Sequence, residues 1–182
     1  MDAQQTSQTW DKLAMQYQDK FMDLDLYNDT YDLFCERIPK PGAEILEIGC
    51  GPGNITKYML SKRPDLNVLG TDVAPHMIEL AQQNNPSASF KVMDCRNLRM
   101  LQRKFDGIVC GFVAPYLSKE DVEKLIADCS SHLNVGGWLY ISLIEGDYNL
   151  SGIEASSDGK HRMFVFTIKR QIFRKCLNRM GL

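Results

Sequence analysis

Apolar residues recur along this chain in two rhythms, and the two rhythms alternate. In residues 6–38, Trp10, Leu13, Ala14, Tyr17 and Phe21 fall at helical spacing and make one apolar face. Tyr31, Phe34, Cys35 and Ile38 predict a second, shorter helix. Pro39 and Pro41 end it, because proline disfavours helical geometry in the residue before it. The short apolar runs Glu44–Ile48, Asn67–Thr71, Ser89–Met93 and Phe105–Phe112 then read as strands. Between the first two runs, a helix starting at Asn54 turns Ile55, Tyr58 and Met59 inward and stops near Pro64. Another starts near Pro75, a favourable first-turn residue, and runs to about Asn84. Ser118 and Asp121 form a capping-box pattern. Val122, Leu125, Ile126, Cys129 and Leu133 follow it at helical spacing. Gly136-Gly137 is expected to end that helix, and Trp138–Ile144 to be a fifth strand. Glu154–Lys160 is expected to be a surface turn, His161–Thr167 extended, and Ile168–Arg179 a helix closing at Gly181. Strands alternating with helices imply an α/β fold: a doubly wound, mainly parallel sheet with helices on both faces.

Strand ends are where such sheets bind ligands. The first strand runs into Glu47-Ile48-Gly49-Cys50-Gly51-Pro52-Gly53, an acid followed by three alternate glycines. Glycine has no Cβ, so a ligand can lie against bare backbone there. A phosphate-cradling loop would need a Gly-Lys-Ser/Thr ending, which this turn lacks. The dinucleotide fingerprint G-x-G-x-x-G fails as well, since Asn54 stands where its third glycine belongs. An acid two residues before the first glycine suits a cationic amino-acid group better than a pyrophosphate. Asp72 ends the second strand, and a carboxylate there can accept hydrogen bonds from both ribose hydroxyls. Asp94 ends the third.

This turn resembles the first motif, (D/E)-x-G-x-G-x-G, of the Rossmann-like class of S-adenosylmethionine-dependent methyltransferases, and the three strand-end acids fit the same family. The resemblance covers nearly the whole chain. It implies that Glu47, Gly49, Gly51 and Gly53 shape the amino-acid end of a cofactor site and that Asp72 holds the ribose. It implies that Val73 and Met77 pack on adenine or ribose and that Asp94 and Cys95 meet the adenine edge. Gly111 and Phe112 would lie beside the sulfonium. A Trp/Phe-x-x-x-A-x-x-Tyr pattern, here Trp10 to Tyr17, implies that Tyr17 closes over the methionine part; as a residue at helical spacing, Tyr17 equally reads as a core aromatic. On this reading residues 1–38 are a helical lid, 43–145 the cofactor-binding core and 146–182 a truncated C-terminal part of one domain. The family's terminal β-hairpin is missing, which leaves a sheet edge open and predicts a homodimer through that edge or a cover from the tail.

Composition narrows the picture. The chain has 182 residues, which fits one domain, and 21 basic against 23 acidic residues, so no general nucleic-acid binding is expected. A small-molecule substrate follows as the expectation. Six scattered cysteines form no C-x-x-C pair and no metal-ligand spacing, so no metal is expected. With no signal-peptide core and no apolar run of membrane-spanning length, a soluble cytoplasmic protein is expected. Methyl transfer is an in-line displacement that needs alignment more than a general base. Glu145 and His161 are the weak candidates for a base, while His76 reads as solvated and His132 as a helix-end residue. Two rivals stand beside the methyltransferase reading: an NAD-linked oxidoreductase, and a non-catalytic S-adenosylmethionine-binding or interaction module.

Overall fold

A computed structural model describes residues 3–155 and 162–179. Helices α1 (Ala3–Phe21) and α2 (Asn28–Glu36) precede an alternating core. The core runs β1 (Glu44–Ile48), α3 (Asn54–Lys62), β2 (Asn67–Asp72), α4 (Pro75–Asn84), β3 (Ser89–Val92), β4 (Phe105–Cys110), α5 (Lys119–His132) and β5 (Leu133–Ile141). The tail adds β6 (Gly152–Ala155), β7 (Arg162–Val165) and α6 (Arg170–Arg179). Strands β1 to β5 form one parallel five-stranded sheet in the order β3-β2-β1-β4-β5. The order reverses between β1 and β4, the switch point at which doubly wound sheets open a crevice.

Side-chain alternation sorts the core into two layers. Leu46, Ile48, Ile108 and Cys110 point to one face and bury Leu125, Ile126 and Cys129 of α5. Ile45 and Val109 point to the other and bury Phe34 and Cys35 of α2 with Ile55 and Met59 of α3. Gly107 of β4 lets α2 sit this close: a Cβ there would lie 2.3 Å from Ile38 Cδ1 and 2.7 Å from the Phe34 ring. Ser118 caps α5 by accepting from the Asp121 N–H, as the sequence predicts.

The end of α5 differs from expectation. The helix stops at His132, and Leu133 is the first residue of β5, paired with Phe105. The His132 ring sits between the carbonyl oxygens of Asp128 (2.7 Å) and Leu101 (2.9 Å), fixing the helix end to the loop before β4. Gly136 and Gly137 therefore do not terminate the helix. They lie within a bulge that moves the ladder from Phe105–Leu133 to Gly107–Trp138, with Gly136 at φ +78°. Periodicity placed Leu133 in the helix because a buried leucine satisfies either rhythm.

The tail differs too. Glu154 and Ala155, expected in a turn, belong to β6, which pairs antiparallel with β7 in a separate two-stranded sheet. Ile168, expected in the last helix, instead bridges Glu145 beyond the end of β5, and its N–H donates to the Ile144 carbonyl at 3.0 Å. The tail thus bridges the chain past the end of β5, and Leu133–Ile141 has no outer ladder partner among the described residues. The expected helix stop at Gly181 and the turn residues 156–160 lie outside the described residues. Among the described residues no helix is long and apolar enough to cross a membrane.

Two substitutions separate crowding from backbone strain. Gly107→Ala should lower stability by about 1–3 kcal/mol through overpacking against Phe34 and Ile38. Gly136→Ala meets no atom within 4 Å and should lower it by about 1–2 kcal/mol through its left-handed backbone alone. Urea unfolding checks both, and an unchanged Gly107→Ala midpoint would contradict the packing account.

Candidate active site

At the switch point the chain must leave β1 and enter α3 within a few residues. Gly49, Gly51 and Gly53 all take positive φ, at 67°, 53° and 83°, which L side chains rarely adopt. Each glycine has a separate reason. A Cβ on Gly49 would meet Val113 Cγ2 at 2.1 Å. A Cβ on Gly51 would make only ordinary contacts, at 3.6 Å from Tyr17 Cε1 and 3.9 Å from Met77 Sδ, so there its positive φ is what requires glycine. Gly53 packs against α4, where a Cβ would lie 2.4 Å from Asn85 Nδ2.

Asp72, at the end of β2, fastens the turn. Its carboxylate accepts from the Gly51 N–H at 3.0 Å and from the Ala74 N–H at 2.9 Å, one bond to each oxygen. Burial raises its pKa, and these backbone donors pull against that. Each oxygen keeps acceptor capacity for a ligand hydroxyl.

Glu47 lies beneath the turn rather than in the cleft. It is wholly buried and accepts from the Thr56 hydroxyl through Oε2, while Oε1 has no partner. Burial pushes its carboxyl up to about 8, although the Thr56 bond opposes the rise. A buried carboxylate without a counter-charge is costly, so a cation above the turn would relieve it.

The cleft itself has a volume of about 220 Å³. Of the residues expected in a cofactor site, Tyr17, Gly49, Gly51, Asp72, Val73, Met77, Asp94, Cys95, Gly111 and Phe112 line it. Glu47 and Gly53 support it from behind. The expected direct contact of the Glu47 side chain with a ligand has no opening to act through, because the acid is sealed under its own turn. Asp94 is already engaged: it accepts from the Arg96 backbone N–H at 2.9 Å and from the Arg96 guanidinium. Burial raises its pKa, but the Arg96 bonds outweigh burial and hold the carboxyl below the usual range. Burial pushes the Cys95 thiol up to about 12, so it stays neutral. Burial also raises the Tyr17 phenol, with Tyr116 and Asp72 adding to the rise, so Tyr17 can donate a hydrogen bond but is no base.

The structure adds to one expected lining residue, Phe112, and brings in others that the sequence reading passed over. Phe112 is the one non-glycine residue at positive φ among those described (62°); its N–H donates to Ser142 Oγ at 2.7 Å and its ring meets Tyr27 at 5.0 Å. Strain held by such contacts concentrates at functional sites. Trp10 and Tyr116 meet edge to face at 5.3 Å, and Phe166 from the tail joins the lining. Tyr116 and Phe166 carry no sequence signal, because they meet through contacts between distant segments, such as the Phe166 N–H bond to the Pro115 carbonyl (2.7 Å). Glu145 is exposed and bridged to Ile168, outside the cleft lining. His161 lies outside the described residues. His76 is exposed beside Asp11, as its sequence position suggests.

Fold and cleft together define a Rossmann-like α/β domain with a ligand groove at the carboxyl edge of its sheet. Residues 45–137 match the methyltransferase domain family, and the chain belongs to that family. It is 34% identical over 97 residues to a putative methyltransferase 235L of Invertebrate iridescent virus 6, covering 53% of this chain and 36% of that protein. It is 31% identical over 108 residues to trans-aconitate 2-methyltransferase of Variovorax paradoxus (strain S110), covering 59% of this chain and 41% of the relative. The matched segment thus spans less than half the length of these curated relatives. Among solved structures, magnesium protoporphyrin IX methyltransferase from Synechocystis PCC 6803 with bound SAH superposes with a TM-score of 0.73 at 16% identity, covering 99% of this chain and 89% of that one. A TehB-like SAM-dependent methyltransferase from Corynebacterium glutamicum has a TM-score of 0.59 at 28% identity, covering 91% of this chain and 97% of that one.

The raised Glu47 carboxyl sets a pH dependence. In the unfolded chain a glutamate titrates near ~4.3. Between there and about 8 the folded chain holds the extra proton, so stability falls as pH rises through this window. The slope from this group is at most ~1.4 kcal/mol per pH unit. Glu47→Gln should flatten that slope, gaining on the parent at pH ~8 more than at pH ~5. Urea midpoints at the two values check it, and parallel slopes would contradict it.

Proposed function

We propose that the protein transfers the methyl group of S-adenosylmethionine to a small-molecule acceptor. The observation that carries this reading is the run of bare backbone at Gly49 and Gly51 beside Asp72, continuous in one groove with Asp94–Cys95 and Gly111–Phe112. The site's chemistry fits the cofactor. Asp72 has acceptor capacity left for ribose hydroxyls, and Val73 and Met77 offer apolar contact to the nucleoside. The backbone after Asp94 and the half-buried Cys95 border the adenine. Tyr17, a neutral phenol, closes over the methionine part as a donor. Glu47 acts through the turn, where a positive charge above it would favour the ionised form of its carboxyl.

When bound, the cofactor supplies an electrophilic methyl on a sulfonium whose leaving thioether is neutral. The chain therefore has no leaving anion to stabilise, and its residues serve to align the acceptor and exclude water. Gly111 and Phe112 give a fixed backbone floor at that point, held by the Ser142 bond. Trp10, Tyr116 and Phe166 wall the groove with aromatic surface. The aromatic wall of the concave groove supports a small acceptor over a macromolecular one. Relatives named for small acceptors, such as trans-aconitate and demethylmenaquinone, support the same choice. The described cysteines are free, as a reducing compartment keeps them, which supports a cytoplasmic setting. The turn lacks the dinucleotide spacing, which counts against an oxidoreductase, and membership of the methyltransferase domain family favours transfer over a non-catalytic module.

Calorimetric titration with S-adenosylmethionine, S-adenosylhomocysteine and NAD tests the cofactor. The two sulfur nucleosides should bind and NAD should not; the reverse would sink the reading. Asp72→Ala should weaken S-adenosylhomocysteine about 10–100-fold, through lost charged hydrogen bonds and a released turn. Incubating an extract with methyl-labelled cofactor then asks where the label goes. Label in metabolites supports the small acceptor, and label only in RNA or protein overturns it.

A further inference from the structure

Charge is segregated along this nearly neutral chain. Residues 160–182 hold seven Lys and Arg residues and no Asp or Glu, whereas residues 1–159 hold 14 basic and 23 acidic residues, a net of −9. The structure gives both ends a surface. On α6, Phe173 and Leu177 pack against the core, while Arg170, Arg174 and Lys175 are exposed. None of the three has a carboxylate partner among the described residues, while the neighbouring Lys169 pairs with Asp147. At the other end, residues 19–36 carry six acids against one base. Asp23 and Asp32 are paired with Lys57 and Lys62, but Asp19, Asp25, Asp29 and Glu36 are exposed and make no ion pair among the described residues. Leu24, Leu26 and Leu33, at 43%, 71% and 52% exposure, lie among them.

The two surfaces cannot meet within one copy. Helix α2 packs with α3 on the face that carries Ile45 and Val109, and α6 packs with α5 on the opposite face, which carries Leu46 and Ile108. We propose that the basic strip of α6 docks on the acidic, leucine-studded segment Asp19–Glu36 of a second copy of this chain. Charge complementarity selects this occupant: a body of net −9 repels a polyanion such as nucleic acid or an anionic lipid surface, and attracts the tail of its own kind. Different patches meet in this contact, so it is heterologous and need not stop at two copies. Exposed charge pairs are individually weak, so the association is concentration-dependent and salt-sensitive. It is separate from the open edge of β5.

Sedimentation equilibrium of the full chain at ~100 µM should give a mass above the monomer at ~20 mM NaCl and the monomer at ~500 mM. Arg170→Glu/Arg174→Glu/Lys175→Glu should be monomeric at low salt, and so should Asp25→Lys/Asp29→Lys/Glu36→Lys. All six positions are exposed, and matched circular dichroism melts confirm that both variants fold. Mixing the two variants restores complementary patches and should restore association. A monomeric parent at low salt overturns the proposal, as does association that survives high salt or both charge reversals. A monomeric parent that instead binds an inorganic polyphosphate probe overturns it in favour of a polyanion partner.

Discussion

The carboxylate of Asp72, bonded at once to the Gly51 and Ala74 N–H groups, is the contact on which the site depends. It joins the end of β2 to the turn after β1 across the switch point of the sheet. The turn cannot hold itself: three of its residues take left-handed backbone, and its carbonyls and N–H groups must find partners outside a helix or ladder. Cys50 reaches back to the Thr71 carbonyl and Gly53 to the Cys50 carbonyl, at 2.9 Å each. Together these bonds fix bare backbone along the groove before any ligand arrives, so little ordering remains to oppose binding.

A second layer sits beneath. Glu47 and Thr56 join β1 to α3 through a wholly buried bond, and burial keeps the carboxyl protonated up to about pH 8. A cation above the turn would favour its ionised form. A ligand that relieves Glu47 in the folded chain would then stabilise the fold. Asp72 lies at the side of the same turn.

The mouth of the groove is assembled from parts distant in sequence. Trp10 and Tyr17 come from α1, Tyr116 from the loop before α5, and Phe166 from the tail. The tail reaches the mouth because the Phe166 N–H bonds the Pro115 carbonyl of that loop and Ile168 bridges Glu145 past the end of β5. One segment thus ties the end of the sheet to the cleft wall.

Local pattern in the sequence determined the helices and strands of the core, the parallel α/β class and most of the groove floor. Glycine spacing and strand-end acids are local consequences of backbone geometry, so Gly49, Gly51, Asp72 and Asp94 were legible from order alone. Local pattern failed where two rhythms coincide, as at Leu133, which suits a helix or a strand and was decided by its pairing with Phe105. It failed again at Gly136-Gly137, whose flexibility serves a bulge as well as a helix end. Tertiary structure alone decided that Glu47 is sealed under its turn, that Asp94 is spoken for by Arg96, and that Glu145 faces the tail. It alone brought Tyr116 and Phe166 to one wall. The physical reason is that a side chain's exposure and partners depend on which distant segments pack against it, and no spacing within a strand or helix encodes that.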